Sequence, residues 1–176
     1  NAPEKGNLSL SLSRPLLSWG KGPAPARPGR LRLATRLLDV PVASPMPWDA
    51  SFEDDEDAAA LHRFAWLLPE VLSWSRSGAA RQEAWKLFRA LALEWAESHP
   101  APEPTVAWRP YTVSERLVNW TLAALACGGS LREDAELLTS IRLQVEHLRD
   151  HLEYHGEGLT GNHLSNNGRA LYLCGL

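Results

Sequence analysis

Apolar residues return every third or fourth position along most of the chain, a period that predicts amphipathic helices. From about 57 to 76, Leu61, Phe64, Ala65, Leu68 and Leu72 share one face behind the acidic run Glu53-Asp54-Asp55-Glu56-Asp57, which suits a helix N-terminus. Pro69 is expected to bend or split this helix, because it lacks a backbone N–H and its ring crowds the preceding turn. A second helix, about 79 to 97, aligns Ala84, Leu87, Phe88, Leu91 and Trp95 and stops at Ser98-His99-Pro100. The Pro-rich stretch 100–110 then reads as a connector. Thr112-Val113-Ser114-Glu115 has the form of a capping box and predicts a third helix, with Val113, Leu117, Trp120 and Ala124 inward and Gly128-Gly129 as its end. Ser130-Leu131-Arg132-Glu133 repeats the capping form ahead of a long helix carrying Leu138, Ile141, Val145, Leu148 and Leu152, which ends near Gly156. A last helix opens near 162 and carries Leu164, Ala170, Leu171 and Leu173.

The pattern differs in residues 1–50, which hold eight of the 13 prolines and read as an extended segment. Within it only Leu31 to Leu37 alternates apolar and polar side chains, the period of one short strand. The chain therefore divides into a Pro-rich segment, 1–50, and a helical part, 51–176. Its class is all-α, and short loops between helices predict antiparallel neighbours. Periodicity alone does not choose between a bundle and a ring of helical hairpins.

Composition narrows the function classes. A content of 44% hydrophobic and 22% charged residues is that of a globular chain with a core. A net charge of -3 supplies no broad cationic surface, which argues against nucleic acid as partner. No apolar run approaches the roughly 20 residues of a membrane span. The N-terminus lacks a basic-then-apolar signal pattern, although a chain beginning at Asn1 leaves prior removal of an export signal open. Cys127 and Cys174 fall in no metal-type spacing and read as small packed hydrophobes, with a disulfide left open. Eight Trp against three Phe and three Tyr is a bias that either core packing or the flat faces of sugar rings would use.

Two clusters carry candidate chemistry. His147, His151 and His155 fall at i, i+4 and i+8 with Glu146 and Glu153 nearby, a row that could grip a metal on a helix. The row lacks a His-Glu-x-x-His pattern, and solvated histidines on a polar face are the commoner outcome, so no metal and no cofactor is expected. The second cluster is Gly161-Asn162-His163-Leu164-Ser165-Asn166-Asn167-Gly168-Arg169. Poor helix formers crowded at the start of an apolar helix are a local conflict of the kind functional sites produce. A plain helix cap at Asn162, with Asn166 and Asn167 solvated, explains the same residues as well.

Three stretches resemble heparinase II/III-like polysaccharide lyases. His151-Leu152-Glu153-Tyr154-His155 leading into Gly161-Asn162-His163-Leu164, with Asn167 and Ala170-Leu171 behind, is similar to that family's LEYH, GNHL, N and AL segment. Trp108-Arg109-Pro110-Tyr111, followed by Ser114, Arg116, Asn119 and Trp120, resembles its W-x-P-Y and S-x-R-x-x-N-W block. Leu61 to Leu67, after Trp48-Asp49, is similar to a family helix, without its usual Tyr. The likeness covers about residues 31–176.

The resemblance implies an incomplete (α/α) toroid whose cleft holds an acidic polysaccharide, and β-elimination at a uronic acid. The difficulty of that reaction is a weakly acidic C5 proton beside a carboxylate, so the enzyme must neutralise the carboxylate and stabilise an enolate-like intermediate. Asn162 and His163 match family positions that contact the carboxylate. Asn166, where some relatives have Glu, and Asn167, Arg116, Asn119, Trp120 and Tyr111 are candidate substrate-binding residues. For Arg116 and Asn119 a tie between helices is an equal alternative. The resemblance places the catalytic Tyr and a second His beyond Leu176, in a missing C-terminal part of the same polypeptide, and implies a periplasmic or secreted protein. A noncatalytic helical module binding glycans or proteins is the competing class.

Overall fold

The structure, a computed structural model, describes residues 29–40, 44–74, 78–156, 158 and 161–175. The expectation of an extended segment for residues 1–28 lies outside them. At the start of the described chain, β1 (Arg30–Arg32) and β2 (Leu37–Asp39) pair antiparallel, with Leu31 opposite Leu38. The single strand expected over 31–37 is thus a hairpin. The chain turns because Asp57, fully buried, takes the Thr35 N–H at 2.7 Å, the Thr35 hydroxyl at 2.6 Å and Arg36 Nε at 3.0 Å. Those bonds hold the Asp57 carboxyl below its usual range, the Thr35 hydroxyl contributing most.

Asp57 belongs to α1 (Asp55–Arg63), whose N-cap Asp54 accepts from the Glu56 N–H at 2.8 Å. The helix ends at Phe64, which adopts φ 62, a left-handed conformation costly for a bulky residue. Aromatic packing holds it there: Phe64 stacks on Trp48 at 5.3 Å and meets Trp120 edge-on at 5.4 Å. Pro69 then lies in the first turn of α2 (Leu68–Trp74), where a missing N–H costs nothing. The split expected at Pro69 therefore falls earlier, between Phe64 and Leu67.

The next helix, α3, runs Gly78–Ser98, and a short 3₁₀ turn at Val106–Trp108 leads into α4 (Pro110–Cys127). The capping box expected at Thr112–Glu115 is not the helix start. Pro110 opens α4, while Thr112 and Ser114 lie buried inside it and Ser114 Oγ donates to the Tyr111 carbonyl at 2.9 Å. Gly128 closes α4 at φ 67, as the Gly-Gly pair predicts. The cap expected at Ser130 is likewise displaced. Asp134 caps α5 (Ala135–Asp150), accepting from the Leu137 N–H at 3.2 Å, and its carboxylate also pairs with Arg89 of α3. The last helix, α6, spans Asn162–Gly175.

Helix α4 is the axis of this arrangement, in contact with α1, α2, α3, α5 and α6. Its face explains the Trp bias. Trp95 and Trp120 are fully buried, Trp48, Trp74 and Trp108 nearly so, and Trp66 and Trp85 pack against the same core. The described tryptophans are scaffold before they are sugar platforms. Both cysteines are free, Cys127 buried and Cys174 half-buried. Among the described residues no helix is long and apolar enough to cross a membrane.

Candidate functional site

The site begins with the way α1 stops. Its last carbonyls have no partner within the helix, so other groups must satisfy them. Trp66 Nε1 donates to the Leu61 carbonyl at 3.0 Å, Arg116 Nη1 to that of His62 at 3.3 Å, and Asn119 Nδ2 to that of Arg63 at 2.8 Å. Arg116 also donates to the Ala107 carbonyl at 2.9 Å and to Gln144 Oε1 at 2.8 Å, tying α1, the connector and α5 to α4.

Arg116 is fully buried, and among the described residues no carboxylate pairs with it. Its guanidinium lies 3.7 Å over the Trp95 ring, a cation–π contact that offsets part of the desolvation. Burial pushes its pKa well down, yet a guanidinium starting so high keeps its charge. Beside it, burial first and the Arg116 charge second push His62 down to about 3. A neutral His62 is what the geometry requires, since its Nδ1 accepts the Trp95 Nε1–H at 3.1 Å.

This brace sets the position of Arg63, whose guanidinium stands 4.8 Å from the centre of the Tyr111 ring. His163, from the first turn of α6, stacks on the same ring at 4.3 Å and 24°. Its Nδ1 lies 2.9 Å from Glu153 Oε1. Asn167 then fixes Glu153, accepting its backbone N–H at 3.1 Å and donating to Oε2 at 3.3 Å. Arg63, Tyr111, His163 and Glu153 thus form one partly open surface, with Asn162 exposed next to it.

The expected site residues divide accordingly. Asn162 and His163 are exposed, and Tyr111 on α4 and Asn166 on α6 are half-buried. Arg116, Trp120 and Asn167 are fully buried within the described chain. Asn119, almost as buried, commits its amide to Arg63, the helix tie that was the alternative. Glu153 and Arg63 were not singled out from sequence for this site. Only their place inside the quoted family segments pointed to them, because they meet Tyr111 and His163 through contacts distant along the chain.

The histidine row forms only in part, His147 and His151 stacking at 4.3 Å while His155 falls away. Helix α5 ends at Asp150, so His147 lies on the helix, His151 is its C-cap and His155 follows in the loop. His147 Nε2 donates to the Trp108 carbonyl at 2.8 Å and His151 Nδ1 to that of His147 at 2.8 Å. Among the described residues no group of three His, Cys, Asp or Glu side chains could hold a metal. A groove of about 500 Å³ beside the start of α4 is lined by Trp108, Arg109, His147 and His151, among others, and includes neither Asn162 nor His163.

No curated protein and no solved structure matches the chain. The family model described as heparinase II/III N-terminus matches residues 41–176, which takes in every residue of the Arg63–Tyr111–His163–Glu153 surface. With more than half of its length matched, the chain belongs to the heparinase II/III N-terminal family.

Proposed function

We propose that this chain is the N-terminal part of a polysaccharide lyase, that its helices form part of an (α/α) toroid, and that the Tyr111–His163 surface binds an acidic, uronic-acid-containing polysaccharide for β-elimination. The single observation that carries the reading is the convergence of the exposed His163 with Tyr111 and Arg63 at the first turn of α6, where the exposed Asn162 precedes it in the chain. The first N–H groups of that helix and the Asn162 amide are donors of the sign a uronate carboxylate needs, while the Arg63 charge, over Tyr111, is already paired with Glu56 at 2.9 Å. Neutralising that carboxylate makes the C5 proton easier to remove, and donors strengthen most as charge moves toward the enolate. The proton-transfer residues that complete the reaction are supplied from outside this chain, so the isolated chain binds without turning over.

The test compares Asn162→Ala and His163→Ala in the full-length polypeptide carrying this region. Loss of one carboxylate donor should lower kcat about 10²–10³-fold and raise KM less. Product is read as ultraviolet absorbance of the unsaturated sugar released from uronate polymers. Near-normal kcat with a lowered melting temperature in both variants would make the motif a helix cap. Tight glycan binding with no product from the full-length polypeptide would instead favour a noncatalytic binding module.

A further inference from the structure

We infer that Glu153 is the positioning residue of His163, fixing which ring nitrogen carries the proton and which one faces a ligand. The inference rests on reading His163 as part of the active surface. Glu153 is itself held at three points: Asn167 accepts its backbone N–H at 3.1 Å and donates to its Oε2 at 3.3 Å, and His163 Nδ1 lies 2.9 Å from its Oε1. Asn167 follows His163 by four residues on α6, so Glu153 is clamped along one face of the helix's first two turns. Asn167 is fully buried and the Glu153 side chain only 20% exposed, whereas the His163 side chain is 49% exposed. The clamp is inside and the ring is open to a ligand.

A carboxylate oxygen only accepts, so the hydrogen in this contact belongs to His163 Nδ1. Among the described residues no other hydrogen bond engages the ring, which leaves Nε2 for the ligand. Stacking on Tyr111 at 24° fixes the ring plane, and Glu153 fixes its rotation within that plane. Nε2 is thereby presented in one direction, as an acceptor when the ring is neutral and a donor when it is charged. The same arrangement orients histidines wherever one ring nitrogen must be specified.

The experiment has two readouts. Long-range ¹H–¹⁵N correlation of the histidine rings in the full-length polypeptide should find His163 protonated at Nδ1. In Glu153→Ala that preference should shift to Nε2. Steady-state kinetics on a uronate polymer should show kcat falling about 10–100-fold in Glu153→Ala with little change in KM, the usual scale for losing a partner that orients a histidine. Glu153→Gln, which keeps an acceptor oxygen, should recover part of that loss. A wild-type ring protonated at Nε2 and bare at Nδ1 overturns the inference, and this readout decides it even if the alanine variant does not fold. A folded Glu153→Ala with kcat within about 3-fold of wild type also overturns it, well below that scale. His163→Ala separates the two levels. Unchanged kcat there removes the active-surface reading as well, whereas a loss there without one in Glu153→Ala removes only the positioning role.

Discussion

The Asn119 side-chain amide donates to the Arg63 carbonyl at 2.8 Å, so a residue inside α4 satisfies the end of α1. The Arg63 side chain points the other way, over Tyr111, and is only 17% exposed. One bond therefore joins the buried centre of the fold to the surface on which His163 rests.

Replacing Asn119 with Ala leaves a carbonyl unpaired in a nearly dry site and should cost about 1–3 kcal/mol of stability. Arg116→Lys should also destabilise, since one ammonium cannot serve the His62 carbonyl, the Ala107 carbonyl and Gln144 in the geometry of a planar fork. Chemical denaturation of each variant reads the loss. Wild-type stability in Asn119→Ala would mean that water replaces the bond.

Acid should weaken this fold from an unusually high pH. His62 sits near 3 in the folded chain and near 6.5 when unfolded, so between those values the unfolded state binds the extra proton. Its contribution is fully present above pH 6.5 and declines as pH falls toward 3, at up to about 1.4 kcal/mol per pH unit. Burial pushes His99 and His147 down as well, so both act in the same direction. Melting temperatures across pH 7 to 4 should fall in wild type and fall less steeply in His62→Gln. Parallel profiles would place the acid sensitivity elsewhere.

Two glycines should answer oppositely to alanine. At Gly129 a Cβ would stand 2.3 Å from the Trp85 ring, so Gly129→Ala must displace a tryptophan packed on the core and should destabilise by about 1–3 kcal/mol. Gly168 lies within α6 with open space around its Cβ position, so Gly168→Ala should stabilise by about 0.5–1 kcal/mol. Thermal melts of the pair check the contrast, and equal shifts would contradict it.

The thiols should be slow to react. Burial pushes Cys127 up to about 11 and raises Cys174 too, leaving little thiolate at neutral pH. Alkylation by iodoacetamide should proceed far faster after denaturation than before it. Rapid labelling of Cys127 in the native chain would show that the end of α4 opens readily.

The helices were legible because their apolar faces repeat locally: Ala84, Phe88, Leu91 and Trp95 are buried along α3, and Val113, Leu117, Trp120 and Ala124 along α4. Helix starts were less legible. Thr112 and Ser130 look like caps in sequence, yet Pro110 and Asp134 open those helices, since several residues in each stretch fit the same pattern. The site was legible only in part. His163 and Asn162 stand out as poor helix formers, but the link from Asn119 to Arg63 spans 56 residues and the one from Asn167 to Glu153 spans 14. No periodic pattern encodes pairings of that kind, and Phe64 gives no sign in sequence that it will end a helix.

The left-handed turn at Phe64 makes the length of α1 a quantity that cannot drift. Each residue added to a helix rotates the chain beyond it by about 100° and advances it about 1.5 Å. One insertion between Asp57 and Arg63 would swing the carbonyls of His62 and Arg63 away from the fixed donors of α4 and carry Phe64 out of its aromatic slot. Related chains can vary the exposed positions of α1 as long as the count of residues is kept, while Asp57 and His62 are fixed by the bonds they make.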